Sequence, residues 1–280
     1  MALHPSESAA SIRWDLSDLY TSTDDPNLDK DLKIVEESAA ALSSEYRGRI
    51  EKLNGTELSS FLSQYEACLE QIGKISTFAH LSWSTDTGNP QRGALLQKLT
   101  ERSARLHQIL LFFDLEWTSL TDDQAQSFLS DERLSNYRHF LLVTRRTKHH
   151  LLSEPEERLL SEKSITGKSS WARYFDQMHA ASIYQIDGAE IQREELLNKL
   201  HQSDRSLRHR SAAALTDGLR TVMPSSTFVF NTLLADKAVD DTLRQLPTWI
   251  SDRNLDNQVN DAVVEALVAA VVSRYDIVER

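Results

Sequence analysis

Nine histidines are spread over the 280 residues, and none begins a His-Glu-x-x-His pattern, in which two imidazoles one helical turn apart face a metal while a glutamate polarises water. The densest concentration is His149-His150, but adjacent helical positions project about 100° apart and do not favour joint chelation. His201 and His209 fall in a run with Asp204, Arg205, Arg208 and Arg210, which reads as the charged faces of a helix start. Gly167-Lys168-Ser169 ends like a phosphate-binding loop, yet the glycine required five positions earlier is Glu162, and the preceding segment has a helical pattern rather than that of a buried strand. No Gly-x-Gly-x-x-Gly or Gly-x-Ser-x-Gly occurs. Asp24-Asp25, Asp122-Asp123, Glu156-Glu157, Glu194-Glu195 and Asp240-Asp241 supply paired carboxylates, read as solvated faces or favourable charges near helix starts. Cys68 is the one cysteine; without a second thiol it forms no internal disulfide or thiolate metal site and reads as a small core residue on a helix. No catalytic, metal-binding or cofactor-binding position is therefore assigned.

The composition narrows the partners. Acidic residues number 42 against 31 basic ones, a formal net charge of -11, which argues against nucleic acid as a partner because phosphate contacts need a concentrated positive footprint. Trp14, Trp83, Trp117, Trp171 and Trp249 are not interleaved with a basic patch and read as packing anchors rather than base-stacking platforms. With 40% hydrophobic and 26% charged residues, the chain has the makeup of a folded protein. Residues 1–16 show neither a basic start nor an apolar stretch of a secretory signal, and the nearly apolar run 266–272 is far short of the roughly 18–20 residues that cross a bilayer. No membrane span and a cytoplasmic or otherwise reducing location are expected.

The elements that would position any site are mostly helices, because the eight glycines and six prolines fall mainly between stretches with apolar residues three and four apart. One helix is expected from Leu28 to Leu53, stopped by Asn54-Gly55; a second follows Thr56 as N-cap and carries Leu58, Phe61, Leu62, Tyr65, Leu69, Ile72 and Phe78. Asn54-Gly55-Thr56 also spells a glycosylation acceptor, but reads better as the turn between these helices. A third helix opens at Asn89-Pro90 and presents Leu95, Leu99, Leu106, Ile109, Phe113 and Trp117. Further starts are marked by Thr121 with Gln124 and by Ser153 with Pro155 and Glu156. Asp187-Gly188 between alternating residues predicts one β-hairpin over 182–191. Helical periodicity resumes over 196–200, 203–220, 228–246 and 256–275, the last helix being apolar on more than one side and expected between neighbours. The fold class is all-α (mainly α), an elongated helical bundle with one small hairpin, divided into 1–150, a long-helix bundle lobe, and 151–280, a helical segment with the hairpin. The end at Arg280 lacks a polar taper and reads as cut.

Taken in order, Trp14-Asp15-Leu16-Ser17-Asp18-Leu19-Tyr20, the three long helices, Ser153-Glu154-Pro155-Glu156-Glu157-Arg158-Leu159-Leu160, the stretch 167–171, the 183–191 hairpin, Asp204-Arg205 with Arg208 and Arg210, and Phe230-Asn231-Thr232-Leu233 resemble the amino-terminal half of the oligoendopeptidase F group of M3 zinc metallopeptidases. The resemblance covers the chain from about Ile12 to its end. It implies a two-lobed, channel-type peptidase fold acting on short unfolded peptides, with one zinc ion held by His-Glu-x-x-His in a carboxy-terminal catalytic lobe. That motif lies outside this sequence, so no family ligand is carried onto a numbered position, and this segment by itself is expected to have no cofactor and no activity. Its implied partners are the carboxy-terminal catalytic lobe of the same polypeptide and short peptides, and its implied role is channel wall, lid and gate. A non-enzymatic helical scaffold or interaction module is the alternative reading.

Overall fold

Short polar side chains at the helix entrances set the order of elements. The computed structural model describes residues 15–278, and these form α1 (Pro26–Tyr46), α2 (Gly55–Ser84), α3 (Pro90–Leu110), α4 (Phe112–Ser119), α5 (Asp122–Leu129), α6 (Arg138–Arg146), α7 (Glu154–Thr166), α8 (Lys168–Ala180), β1 (Ile183–Ile186), β2 (Ala189–Gln192), α9 (Arg193–Lys199), α10 (Arg205–Leu243), α11 (Ser251–Asp256) and α12 (Asp261–Val272). The chain is thus mainly helical with one small hairpin. Thr121 and Gln124 form the expected reciprocal cap of α5. Ser153 does the same for α7, its N–H and hydroxyl both donating to Glu156 at 3.0 and 2.6 Å. Such caps satisfy backbone groups that have no partner inside the helix.

Several boundaries differ from the periodicity. α1 stops at Tyr46 rather than Leu53, because Gly48 takes φ +75° and the N–H groups of Gly48 and Ile50 turn to the Glu116 carboxylate at 2.7 and 3.2 Å; a 3-10 turn at Ile50–Lys52 follows. Asn54, not Thr56, caps α2: its side chain accepts the N–H groups of Thr56 and Glu57, while Glu57 accepts the Asn54 N–H at 2.8 Å. The third helical stripe is broken between Leu110 and Phe112, so Phe113 and Trp117 belong to α4. α10 runs unbroken for 39 residues through Pro224, although an internal proline costs about 3 kcal/mol; packing against α8, α9 and β1 offsets that cost. α10 ends before Gln245 at φ +53°, and the expected 256–275 helix is split at Gln258, φ +54°, with Asn260 capping α12.

The described residues cluster into two compact units. One takes in the residues up to Glu45 and Ser63–Leu110. Its helices run up, down and up: Asp31 meets Lys74 and Ser76 meets Ser103, whereas Asp29 pairs with Lys98 and Glu36 with Arg102, so the α1 and α3 numbers rise together. Leu32, Val35, Ala39, Ile72, Ile75, Phe78, Leu99 and Leu106 are buried there. Tyr20 lies edge-on to Phe78 at 5.2 Å and donates its hydroxyl to Asp31; burial and that carboxylate push the phenol well above its ordinary range.

The second unit joins Tyr46–Leu62 to the residues from Leu111 onward. Phe61 touches Tyr46, Phe112 and Phe113, and Trp117 lies against Phe113 and Phe128 while donating Nε1–H to the Leu141 carbonyl at 2.9 Å. Arg145 and Lys148 donate to carbonyls at the end of α4, those of Trp117 and Leu120, which suits the negative end of a helix. The hairpin pairs Ile183 with Gln192 and Tyr184 with Ile191, and its turn places Asp187 and Gly188 at φ +51° and +80°, the left-handed pair that a two-residue hairpin loop needs. Tyr184, Ile186, Ile191 and Leu196 form a small core against Leu207, Ala214 and Leu215.

Gly218 makes room for that core, since a Cβ there would lie 2.3 Å from the Tyr184 ring. Ala is intrinsically better than Gly in a helix by about 1 kcal/mol, but overpacking a buried ring costs about 1–3 kcal/mol. Gly218→Ala is therefore expected to lower stability in urea unfolding, and Gly218→Ala with Tyr184→Leu to recover most of the loss.

Candidate functional surface

A charged constellation in the second unit forms where α7 begins and α10 ends. The Ser153 cap places Glu157 in the first turn of α7, and Arg244 is the residue that closes α10. Arg244 grips Glu157 with two parallel bonds of 2.6 and 2.9 Å and donates to the His150 carbonyl at 3.2 Å, while His150 Nδ1 lies 2.8 Å from the Arg244 carbonyl. The Glu157 and Arg244 side chains are 11% and 24% exposed, so this pair is much less screened than a surface bridge. Burial raises the Glu157 carboxyl, but the Arg244 hydrogen bonds and the N–H of Leu152 outweigh it and leave the group below its usual range. Asp114, on α4, is pushed up to about 6, first by burial and second by the charge of Glu157.

Beside this clasp lies a cleft of about 220 Å³ whose lining includes Glu157, Ser161, Lys163, Lys168, Asp240 and Arg244. That is smaller than the roughly 300–1,000 Å³ of typical small-molecule sites. Two of its charge pairs are already closed, Arg244 on Glu157 and Lys168 on Asp240 at 3.0 Å. The arrangement can hold three helices in register and present charge to solvent; a perturbed carboxyl alone is no acid-base machine without a substrate position beside it. Asp114 lies outside the cleft lining.

The other residues singled out by type are dispersed. His149 and His150 sit in the turn after α6 rather than on a helix. His201 lies in a turn and His209 on the exposed side of α10, where Asp204 caps the helix, Arg208 donates to the Gln202 and Ser203 carbonyls, and Arg210 pairs with Asp187. Gly167 is the joint between α7 and α8, where a Cβ would stand 2.9 Å from the Lys163 carbonyl. The paired carboxylates part company: Asp25 accepts from Thr21 and Asn27, Asp122 meets Arg145, Glu156 caps α7, Glu195 pairs with Lys199, and Asp240 and Asp241 take Lys168 and Lys237 respectively. Cys68 is buried on α2, and burial raises its thiol. Trp83 and Trp117 are buried and Trp171 packs on Tyr174 and Phe228, but Trp249 is 74% exposed, so the packing-anchor reading does not hold for it. Trp14 lies outside the described residues. The clasp itself was missed by sequence reasoning, since Glu157 and Arg244 are 87 positions apart and no local pattern links them.

Removing the Glu157 charge strands Arg244, so Glu157→Gln is expected to cost about 2–4 kcal/mol near neutral pH. Because the folded carboxyl titrates below its unfolded value of about 4.3, its contribution is present above that value and is lost as pH falls through the folded pKa; the gap between wild type and Glu157→Gln in urea unfolding should close on acidification. Asp114 has the opposite sign. Its penalty develops as pH rises from about 4 through about 6, so Asp114→Asn should stabilise the protein by up to about 3 kcal/mol at pH 7.5 and by nothing at pH 3.5.

Comparison with known proteins finds several likenesses. Residues 116–181 match the M3 amino-terminal family model described as oligopeptidase F. The oligopeptidase PepF of Bacillus subtilis (strain 168) is 29% identical over 219 residues, covering 75% of this chain and 32% of that protein; an oligoendopeptidase F homolog of Borreliella burgdorferi is 23% identical over 151 residues, covering 53% and 24%. The crystal structure of oligoendopeptidase-F from Enterococcus faecium superposes with a TM-score of 0.75 at 20% identity, over 88% of this chain and 49% of that one. A putative peptidase from Chlamydophila abortus gives 0.60 at 17% identity, over 96% and 47%. The chain thus spans about a third or less of the length of these curated relatives and about half that of the solved ones, whose likeness speaks for the fold. The family match over residues 116–181, the Bacillus relative and the shared fold together support a likeness of the chain to an amino-terminal portion of the oligoendopeptidase F group of M3 peptidases.

Proposed function

We propose that this chain is the amino-terminal lobe of a cytoplasmic zinc metalloendopeptidase that hydrolyses short peptides, and that it serves as channel wall, lid and gate for a catalytic lobe. The observation that carries the reading is the fold match with oligoendopeptidase-F over 88% of this chain but 49% of the relative. Zinc is tested against the residues present: among those described, no group of three or more His, Cys, Asp or Glu side chains could hold a metal, and His-Glu-x-x-His is missing from the sequence. The donor set of this chain does not fit the ion, so no bond-breaking step is assigned to its residues. Their part is confinement, which orients a peptide and limits water around it. Rigid helices clasped at Arg244 and Glu157 suit a wall better than flexible loops would. The division near residue 150 belongs to the same proposal, the capped start of α7 opening the segment that leads towards the catalytic lobe. Among the described residues no helix is long and apolar enough to cross a membrane.

The test uses an internally quenched peptide of about nine residues with zinc present. This chain alone is expected to give no chelator-sensitive cleavage. Joined to the remaining part of the Bacillus relative, it is expected to cleave the peptide and to leave a folded protein of similar sequence content intact. Chelator-sensitive turnover by the 280-residue chain alone, or digestion of the folded protein at the peptide's rate, would overturn the reading.

A further inference from the structure

A cavity of about 420 Å³ lies wholly within the first compact unit, among the turn before α1, the end of α2 and the start of α3. It falls inside the roughly 300–1,000 Å³ of typical small-molecule sites, and the charged clasp makes no use of it. Its least exposed lining residues are aromatic: Phe78 is 2% and Tyr20 3% exposed, and the two rings stand edge to face at 5.2 Å. The Tyr20 hydroxyl donates to Asp31 and accepts from Gln71 at 3.3 Å, and neither of those residues lines the cavity, so Tyr20 offers it ring rather than phenol. Ser82, 7% exposed, also lines it, and no described group bonds its hydroxyl. A buried hydroxyl without a protein partner beside a cavity points to a polar ligand.

The lining carries two charges of opposite sign, Arg92 and Asp15. Arg92 is held by neutral acceptors: it donates to the Ser82 carbonyl at 3.0 Å and to the Thr85 hydroxyl. The Asn89 side chain takes the N–H groups of Gln91 and Arg92 at 2.9 and 3.2 Å, which fixes the backbone beneath the guanidinium and leaves that side chain, not the helix end, as the positive group of the cavity. No described carboxylate pairs with Arg92. Asp15 accepts the Ser17 N–H at 2.9 Å, a bond that holds its carboxyl below the ordinary range and keeps it ionised at neutral pH.

A cation and an anion that line one cavity without pairing with each other select the ligand by charge. A phosphate gains at Arg92 and loses at Asp15, and a neutral polyol leaves both charges without a counter-charge, whereas a zwitterion answers both. Guanidinium suits a carboxylate in particular, since its planar fork of donors matches the two oxygens. We propose that this cavity binds a short zwitterionic peptide of dipeptide size, with its carboxylate on Arg92, its ammonium on Asp15 and an apolar side chain against Tyr20 and Phe78. The assignment goes beyond the peptidase reading and does not depend on it, because binding is read without turnover.

The experiment titrates glycyl-phenylalanine into the 280-residue chain by calorimetry, beside its N-acetyl form, its C-terminal amide and inorganic phosphate. Saturable binding is expected for the free dipeptide, and blocking either end should weaken it about tenfold, the scale of losing one charge-assisted hydrogen bond. Arg92→Gln should weaken the free dipeptide by a similar factor and erase its advantage over the amide while keeping its advantage over the N-acetyl form. Asp15→Asn, at an exposed position, should do the reverse. Melting midpoints on the same samples show whether each variant is folded, and if Arg92→Gln is not, the Asp15→Asn arm decides. No saturation by about 10 mM dipeptide, or end preferences that survive both substitutions, overturns the proposal. So does phosphate or the N-acetyl form binding as tightly as the free dipeptide, which assigns Arg92 to simple anions.

Discussion

A helix of 39 residues extends about 58 Å and has two ends whose backbone groups and side chains must be held, and the second unit of this protein is arranged around that requirement. At its entrance, Asp204 caps α10 and Arg210 ties it to the hairpin turn. In its middle, Gly218 admits the Tyr184 ring. At its end, Arg244 closes on Glu157 and His150. The charged clasp is costly to bury and useful because it is fully paired: each guanidinium bond has a carboxylate or carbonyl opposite, which turns a desolvation penalty into a geometric constraint.

The same logic separates the paired carboxylates of the described residues. Carboxylates that stand side by side in sequence are taken by different partners, Glu156 by the start of α7 and Glu157 by the end of α10, Asp240 by α8 and Asp241 by its own helix. Pairing in sequence puts side chains on different faces of a helix, and the fold uses those faces for different neighbours. Asp114 is the exception, a carboxyl raised by burial beside a negative neighbour, and it stands apart from the cleft.

Helix existence, the Asn89, Thr121 and Ser153 entrances, and the Asp187-Gly188 hairpin were legible in the sequence because each is local: a cap, a turn and a repeat of apolar residues are encoded within a few positions. So was the resemblance to the oligoendopeptidase F group, through the order of many individually weak motifs. Periodicity continued helices through Gly48 and across Gln258 because apolar spacing alone does not register a reversal, and it left 221–227, around Pro224, out of the helices because a local penalty does not register the packing that offsets it.

The tertiary structure alone decided the rest. Glu116 reaching the Gly48 and Ile50 amides, Arg145 closing α4, and Arg244 finding Glu157 join residues separated by 25 to 87 positions, and such pairings depend on how helices pack, which no local window contains. The apolar makeup of α12 was written in its residues; that its shaft stands uncovered among the described residues is a fact of three dimensions, since sequence determines what a surface is made of and only packing determines whether anything lies against it.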